Sequence, residues 1–182
     1  MTGHSIPAIV FKNFPQAFKE LYNMPNKTMI VSGTAYWASV VAPNTTFDSD
    51  GVWEINVCNL DEDTVADLEA EGVDVKNKED EKGNYVLAKR RVKRKGGDVN
   101  SPPKVVDSNN TPMHNTLIGN GSLVNVKFSP YEWTFGNKQG IGLDLQAVQV
   151  VDLVEYTTGA EDFEPVSGGY QSSDEDIPFP TN

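Results

Sequence analysis

"SLVNVKFSPYEWTFGNKQGIGLDLQAVQVVDL", residues 122–153, decides the fold, because it reads as strand, hairpin tip and returning strand without interruption. In the first half Val124, Val126 and Phe128 share one side and Asn125 and Lys127 the other. In the second half Leu143, Leu145 and Ala147 lie opposite Asp144 and Gln146. Successive Cβ atoms of a strand point to opposite faces, so this alternation sends one face into a core and leaves the other to water. Between the halves, Tyr131, Trp133 and Phe135 alternate after Pro130 and before a Gly136-Asn137 turn. A hairpin tip has little core to fill, so three rings there fit stacking on a ligand as well as packing over the end of a barrel.

Upstream, residues 28–43 ("TMIVSGTAYWASVVAP") are β-branched and aromatic, free of charge and closed by Pro43 and Asn44. They predict a long strand with a bulge at Gly33. After the turn "NTTFDSDG", "VWEINVCNL" alternates and predicts the second strand of an antiparallel hairpin. "NLDEDTVADLEAEG", residues 59–72, changes period: Asn59 and Glu62 resemble a capping box, Val65 and Leu68 share a helical face, and Gly72 suits a C-terminal cap. A charged loop follows, then "YVLAKRRVKRK" (85–95), a strand that turns from apolar to basic before Gly96-Gly97, and "PPKVVD" restarts the chain. Five or six strands with one helix make an all-β domain, either a small barrel or a sandwich.

At 182 residues the chain fits one domain, expected over 1–158, with a tail over 159–182 that is poor in apolar residues and expected to be disordered. No apolar run approaches the roughly 20 residues of a membrane span. The N-terminus lacks the pattern of a secretory signal, and the lone Cys58 has no partner for an intramolecular disulfide, so a reducing cytoplasm is expected. The net charge of −11 is unevenly spread. Thirteen acids face three lysines between Asp48 and Lys82, whereas seven bases face the single Asp98 between Tyr85 and Lys104. The tail adds six acids and no base.

Catalytic constellations are missing from the pattern. His4, His114 and Cys58 share no metal-ligand spacing, and the glycines of "IGNGS" and "GNKQGIG" precede no Gly-Lys-Ser/Thr, so turn and bulge roles are expected of them. No enzyme activity, cofactor or metal is therefore expected. The strongest charge signal is Lys89, Arg90, Arg91, Lys93, Arg94 and Lys95. Edge protection of a sheet needs one or two lysines, and a strand with bases on both sides must present one side to solvent or to an anion. Phosphate is the anion favoured. Aromatic faces for bases complete a single-strand binder at about 1–3 kcal/mol per base, with Trp37, Trp53, Tyr85, Tyr131 and Trp133 among the candidates.

The second half of the chain resembles the replicative single-stranded DNA-binding protein of T-seven-like phages. The resemblance rests on Val105-Val106-Asp107-Ser108, Ile118-Gly119 with Gly121-Ser122, Val126-Lys127, Ser129, Pro130-Tyr131 with Trp133, and Leu143 and Leu145 leading to Val148, Val151 and Leu153. Gly33-Thr34-Ala35 and Gly51-Val52 recur in matching order in the first half. It implies an OB-fold, a five-stranded Greek-key barrel with an inserted helix, without catalytic activity and usually dimeric. It implies DNA contact by Tyr131, Trp133 and Lys89, while Arg91 falls where the family can carry an aromatic and Asp50 replaces a base. Arg90, Lys93, Arg94, Lys95, Lys127 and Trp37 complete the expected DNA-binding set.

The implied role is coating of single-stranded DNA, without sequence preference, in phage replication and recombination at forks in the infected host's cytoplasm. The acidic end "DEDIPF" (Asp174, Glu175, Asp176, Ile177, Pro178, Phe179) is expected to dock phage DNA polymerase and helicase-primase and to compete with DNA for the basic groove. The rival expectation is a virion structural or adaptor protein built as a β-sandwich.

Overall fold

A computed structural model of the chain describes residues 27–156 and 166–168. His4, the expected boundary after residue 158 and the expected docking end Asp174–Phe179 lie outside the described residues.

Among the described residues, seven strands and one helix follow in the order β1 (Met29–Asn44), β2 (Val52–Cys58), α1 (Glu62–Ala70), β3 (Lys76–Asn77), β4 (Asn84–Arg91), β5 (Lys104–Val106), β6 (Leu123–Phe135) and β7 (Lys138–Asp152). β1 pairs antiparallel with β2 and β6, β2 with β4, and β6 with β7. The ring then closes by a parallel contact between β4 and β7, at Lys89 opposite Asp144. Closure of β1, β2, β4, β7 and β6 into a five-strand barrel decides between the two architectures left open by the alternation pattern. Within the five-strand ring this is the one parallel seam, and the order is that of the OB-fold; the short β5 adds to β7, also in parallel, outside the ring, and α1 is inserted between the second and third barrel strands.

The inward residues are those the alternation picks out as far as Leu145; there a bulge in the β6–β7 pairing shifts the phase, so Val148 and Val150 turn inward while Ala147, expected beside Leu143 and Leu145, is only partly buried. Val31 and Ala35 of β1, Trp53, Ile55 and Val57 of β2, Val86 and Ala88 of β4, Val124, Val126 and Phe128 of β6, and Leu143, Leu145, Val148 and Val150 of β7 are all buried. Trp53, one of the candidate stacking residues, is therefore core. Leu68 brings the apolar side of α1 into the same cluster.

Three local expectations are corrected. The N-cap of α1 is Asp61, whose carboxylate accepts from the Thr64 N–H at 2.7 Å. Asn59 instead turns the chain out of β2 with φ +56°, its N–H donating to the Lys82 carbonyl. The irregularities of β1 fall between Tyr36 and Ser39 and between Ser39 and Asn44, not at Gly33. Gly33 is needed because β1 crosses β2 closely there: a Cβ would lie 2.6 Å from the Cys58 carbonyl oxygen. The basic strand ends at Arg91, and Lys93, Arg94 and Lys95 sit on a turn closed by the Arg94 N–H donating to Asp98. Gly72 does end the helix as expected. At φ +80° its N–H donates to Glu69 while the Val73 N–H reaches back to Leu68, which satisfies two terminal carbonyls.

Candidate nucleic-acid interface

Alternation along β4 sorts its three consecutive bases. Arg90 follows Val86 and Ala88 to the inner side, with its side chain only 15 % exposed. Its guanidinium donates to Asp144 Oδ2 at 2.9 Å, to the Ser101 carbonyl at 2.9 Å and to the Leu145 carbonyl at 3.3 Å. It ties β4 to β7 beside the parallel seam. Burial pushes the Asp144 carboxyl up, against the pull of the Arg90 charge, so the seam carboxylate depends on its arginine.

Lys89 and Arg91 point outward. Lys89 pairs with Glu54 across the strand at 3.3 Å. On the following turn Lys93 pairs with Asp50 at 2.6 Å, a hydrogen bond that pushes its ammonium up. Asp50, standing where the resemblance places a base, thus holds a cation of the next element. Arg91, Arg94 and Lys95 have no carboxylate within ion-pair distance among the described residues.

These bases line an open groove of about 850 Å³ with Phe47, Tyr131 and a few small or polar side chains; its two carboxylates are Asp48 and Asp144, the second held by Arg90. Beside the turn after β4, which brings Lys93, Arg94 and Lys95, three elements meet there: the β1–β2 loop, the face of β2 and β4, and the β6–β7 hairpin. They are the parts of an OB-fold that engage oligonucleotides and oligosaccharides. Phe47, on the β1–β2 loop, is 95 % exposed. In the sequence it is one more residue of a turn, and a single exposed apolar side chain is ordinary; its position on the groove beside Tyr131 and the bases is what singles it out.

The hairpin explains why its aromatics are available. Tyr131 stands opposite Gly142 and Trp133 opposite Gly140. A Cβ on Gly142 would fall 2.5 Å from Tyr131 Cζ, and one on Gly140 2.9 Å from Trp133 Cζ2. Each ring lies across the backbone of its glycine and turns its other side outward, leaving Tyr131 46 % and Trp133 40 % exposed. Gly140 and Gly142 are thus seats for rings, where turn and bulge roles were expected. Phe135 is exposed on the same side of the hairpin.

Three expected members lie outside the lining of this groove, Trp133 among them, two positions beyond Tyr131 toward the hairpin tip. Lys127 projects from β6 between Ile30 and Ala147 and does not line the groove. Trp37 follows Tyr36, which stands level with Asn56 and Leu87 across β1, β2 and β4. Cys58 is buried, and burial pushes its thiol up, which suits a structural cysteine. Among the described residues no group of three or more His, Cys, Asp or Glu is placed to hold a metal, and no helix is long and apolar enough to cross a membrane.

Fold and groove together define an OB-fold barrel with a basic, aromatic-edged cleft. Two solved phage proteins share that fold. The crystal structure of gp2.5, a single-stranded DNA-binding protein encoded by bacteriophage T7, matches with a TM-score of 0.55 and 21 % identity, over 81 % of this chain and 99 % of that one. The single-stranded DNA-binding protein of bacteriophage Enc34 matches with a TM-score of 0.52 and 12 % identity, over 73 % of this chain and 86 % of that one. Its complex with single-stranded DNA gives a TM-score of 0.52 over 70 % of this chain and 88 % of that one. No protein-family model matches the chain, and no curated protein matches it in sequence.

Proposed function

We propose that this protein belongs with the phage single-stranded DNA-binding proteins and coats single-stranded DNA without sequence preference during replication and recombination. The observation that carries the reading is the convergence of Lys89, Arg91, Lys93, Arg94 and Lys95 with Phe47 and Tyr131 on one groove of an OB-fold. Phosphates meet the cations, and bases stack on Tyr131, Trp133 and Phe47. Stacking on rings accepts any base, which fits binding without sequence preference. Arg90 contributes indirectly by holding the groove wall that carries its neighbours. The protein acts as a binder and not as an enzyme.

With about four phosphates neutralised, log K against log salt falls with a slope near −0.7 × 4, roughly −3. Fluorescence anisotropy with an oligonucleotide of about 20–30 nucleotides, long enough to exceed the ~4–16 nucleotide site of one such domain, measures it. Equal affinity for duplex DNA, or a flat salt response, refutes the reading.

Residues 159–182 extend the proposal. Six carboxylates without a base mimic a nucleic-acid backbone and compete for the groove until DNA displaces them. The freed end, with Phe179 at its apolar tip, then docks phage polymerase and helicase-primase, and the protein works as a dimer. Deleting residues 159–182 tightens DNA binding at low salt; unchanged or weaker binding refutes the competition. Peptides ending at Phe179 and at Asn182 test whether a partner needs the terminal carboxylate beside the ring.

A further inference from the structure

The outward face of β1, β2 and β4 continues past Lys89. Leu87, Asn56 and Tyr36 stand level across the three strands, with Tyr85 one alternation further along β4. At this end the bulge in β1 holds Trp37 at φ +49°, a region that bulky side chains rarely enter. Its N–H donates to Asn120 Oδ1 at 2.8 Å. Asn120 in turn sits on a loop fixed by the Gly121 N–H to Ala35 and by the buried Ser122 hydroxyl to Gly119. The strained conformation is thus held from a second element, and what it gains is an indole that stands half out of the sheet, 51 % exposed.

The indole has company. Its ring centre is 5.8 Å from that of Tyr36. The Lys78 ammonium lies 5.2 Å from the Trp37 ring centre and 5.6 Å from that of Tyr85. The Lys82 ammonium lies 5.2 Å from Tyr36 and 5.5 Å from Trp37. Lys82 is also held by Asp80 and Glu81, at 3.2 and 3.1 Å. The Lys78 N–H donates to the Gly83 carbonyl, but its ammonium has no carboxylate partner among the described residues and rests on the ring faces. A cation over a ring occupies the position where a base would stack, and it carries the charge that the base's own phosphate needs.

We propose that Trp37, Tyr36 and Tyr85 form a second base-stacking station for single-stranded DNA, with Lys78 leaving the rings to meet a phosphate as a base takes its place. This rests on the single-strand reading above and lengthens its path. From Arg91 to Tyr85 the strand covers about 20 Å at ~3.3 Å per residue, so the station is reached only by a strand that already fills the groove. Binding then has two stages that differ in the length of oligonucleotide they require.

The test is a length series of oligothymidylates from about 4 to 16 nucleotides, the range of single-domain sites. It uses the full chain and the variants Trp37→Asn and Lys78→Ala. Asparagine tolerates the left-handed backbone, so the bulge survives while the ring is lost. Trp37→Asn is expected to match the parent chain on the shortest oligonucleotides and to bind the longest about 5- to 150-fold more weakly. Lys78→Ala is expected to flatten the salt slope by about 0.7 for long oligonucleotides only. Curves that coincide at every length, or weaken equally at every length, overturn the second station while leaving the groove intact. A parent chain that binds no oligothymidylate at any length overturns the single-strand reading itself.

Discussion

Replacing Gly142 by alanine tests the groove without touching any group that meets DNA. The new Cβ would stand 2.5 Å from Tyr131 Cζ, 2.6 Å from its hydroxyl oxygen and 2.7 Å from Cε1. Carbon atoms pack at about 3.5–4.0 Å, so the ring must retreat by roughly 1 Å or more from the strand it lies on. Phenol rings on a hairpin move cheaply, and alanine itself is no burden to an extended strand; the folded state is expected to keep its Tm within about 2 °C. What changes is the stacking plane. Loss of one base stack costs about 1–3 kcal/mol, or about 5- to 150-fold in Kd. Fluorescence anisotropy with a 20–30-nucleotide strand reads this directly. The decisive arm is a double-mutant cycle with Tyr131→Ala. If Gly142→Ala acts only by displacing the ring, the double variant binds no more weakly than Tyr131→Ala alone, a coupling that separates displacement from general damage. Unchanged affinity of Gly142→Ala, or additive losses in the cycle, would show that Tyr131 does not stack on DNA from the position it holds.

Other perturbations separate neighbours that the sequence presents as equals. Arg90→Met, which strips a half-buried Asp144 of its partner, is expected to cost about 1–3 kcal/mol and lower the Tm by roughly 3–12 °C. Arg91→Ala is expected to leave the melting curve in place, weaken DNA binding and reduce the salt slope by about 0.7; melting and titration of the two variants check the contrast. Asp50→Asn releases Lys93 and removes an anion beside the groove, so affinity should rise about two- to fivefold at low salt, with the gain fading as salt is added. Phe47→Ala, at a side chain buried against nothing, is expected to weaken binding by about 1–3 kcal/mol without a change in unfolding midpoint.

Much of the barrel was legible because period-2 alternation has one physical cause. A strand with one face in a core must alternate, and Val124, Val126, Phe128, Leu143 and Leu145 went where that rule put them. The helix C-terminus was legible for a similar reason, since Gly72 occupies a conformation that other residues resist. Its N-terminus was not: Asn59, Asp61 and Glu62 all offer capping chemistry, and the chain's exit from β2 decided that Asp61 does the work.

The candidate site divides along the same line. Composition and alternation determined by themselves that a run of six bases cannot all be buried, that three rings share one side of a hairpin, and that the chain is a small all-β domain. These follow from local rules, which need only neighbours in sequence. Tertiary structure alone decided that Arg90 braces the β4–β7 seam while Arg91 faces the groove, that Trp53 is core while Phe47 stands in solvent, and that Gly140 and Gly142 seat the rings of Trp133 and Tyr131. It also put Lys78 over Trp37, forty-one positions earlier in the chain. Barrel closure joins strands far apart in sequence, and which side chains then meet depends on register and bulges that no single segment encodes.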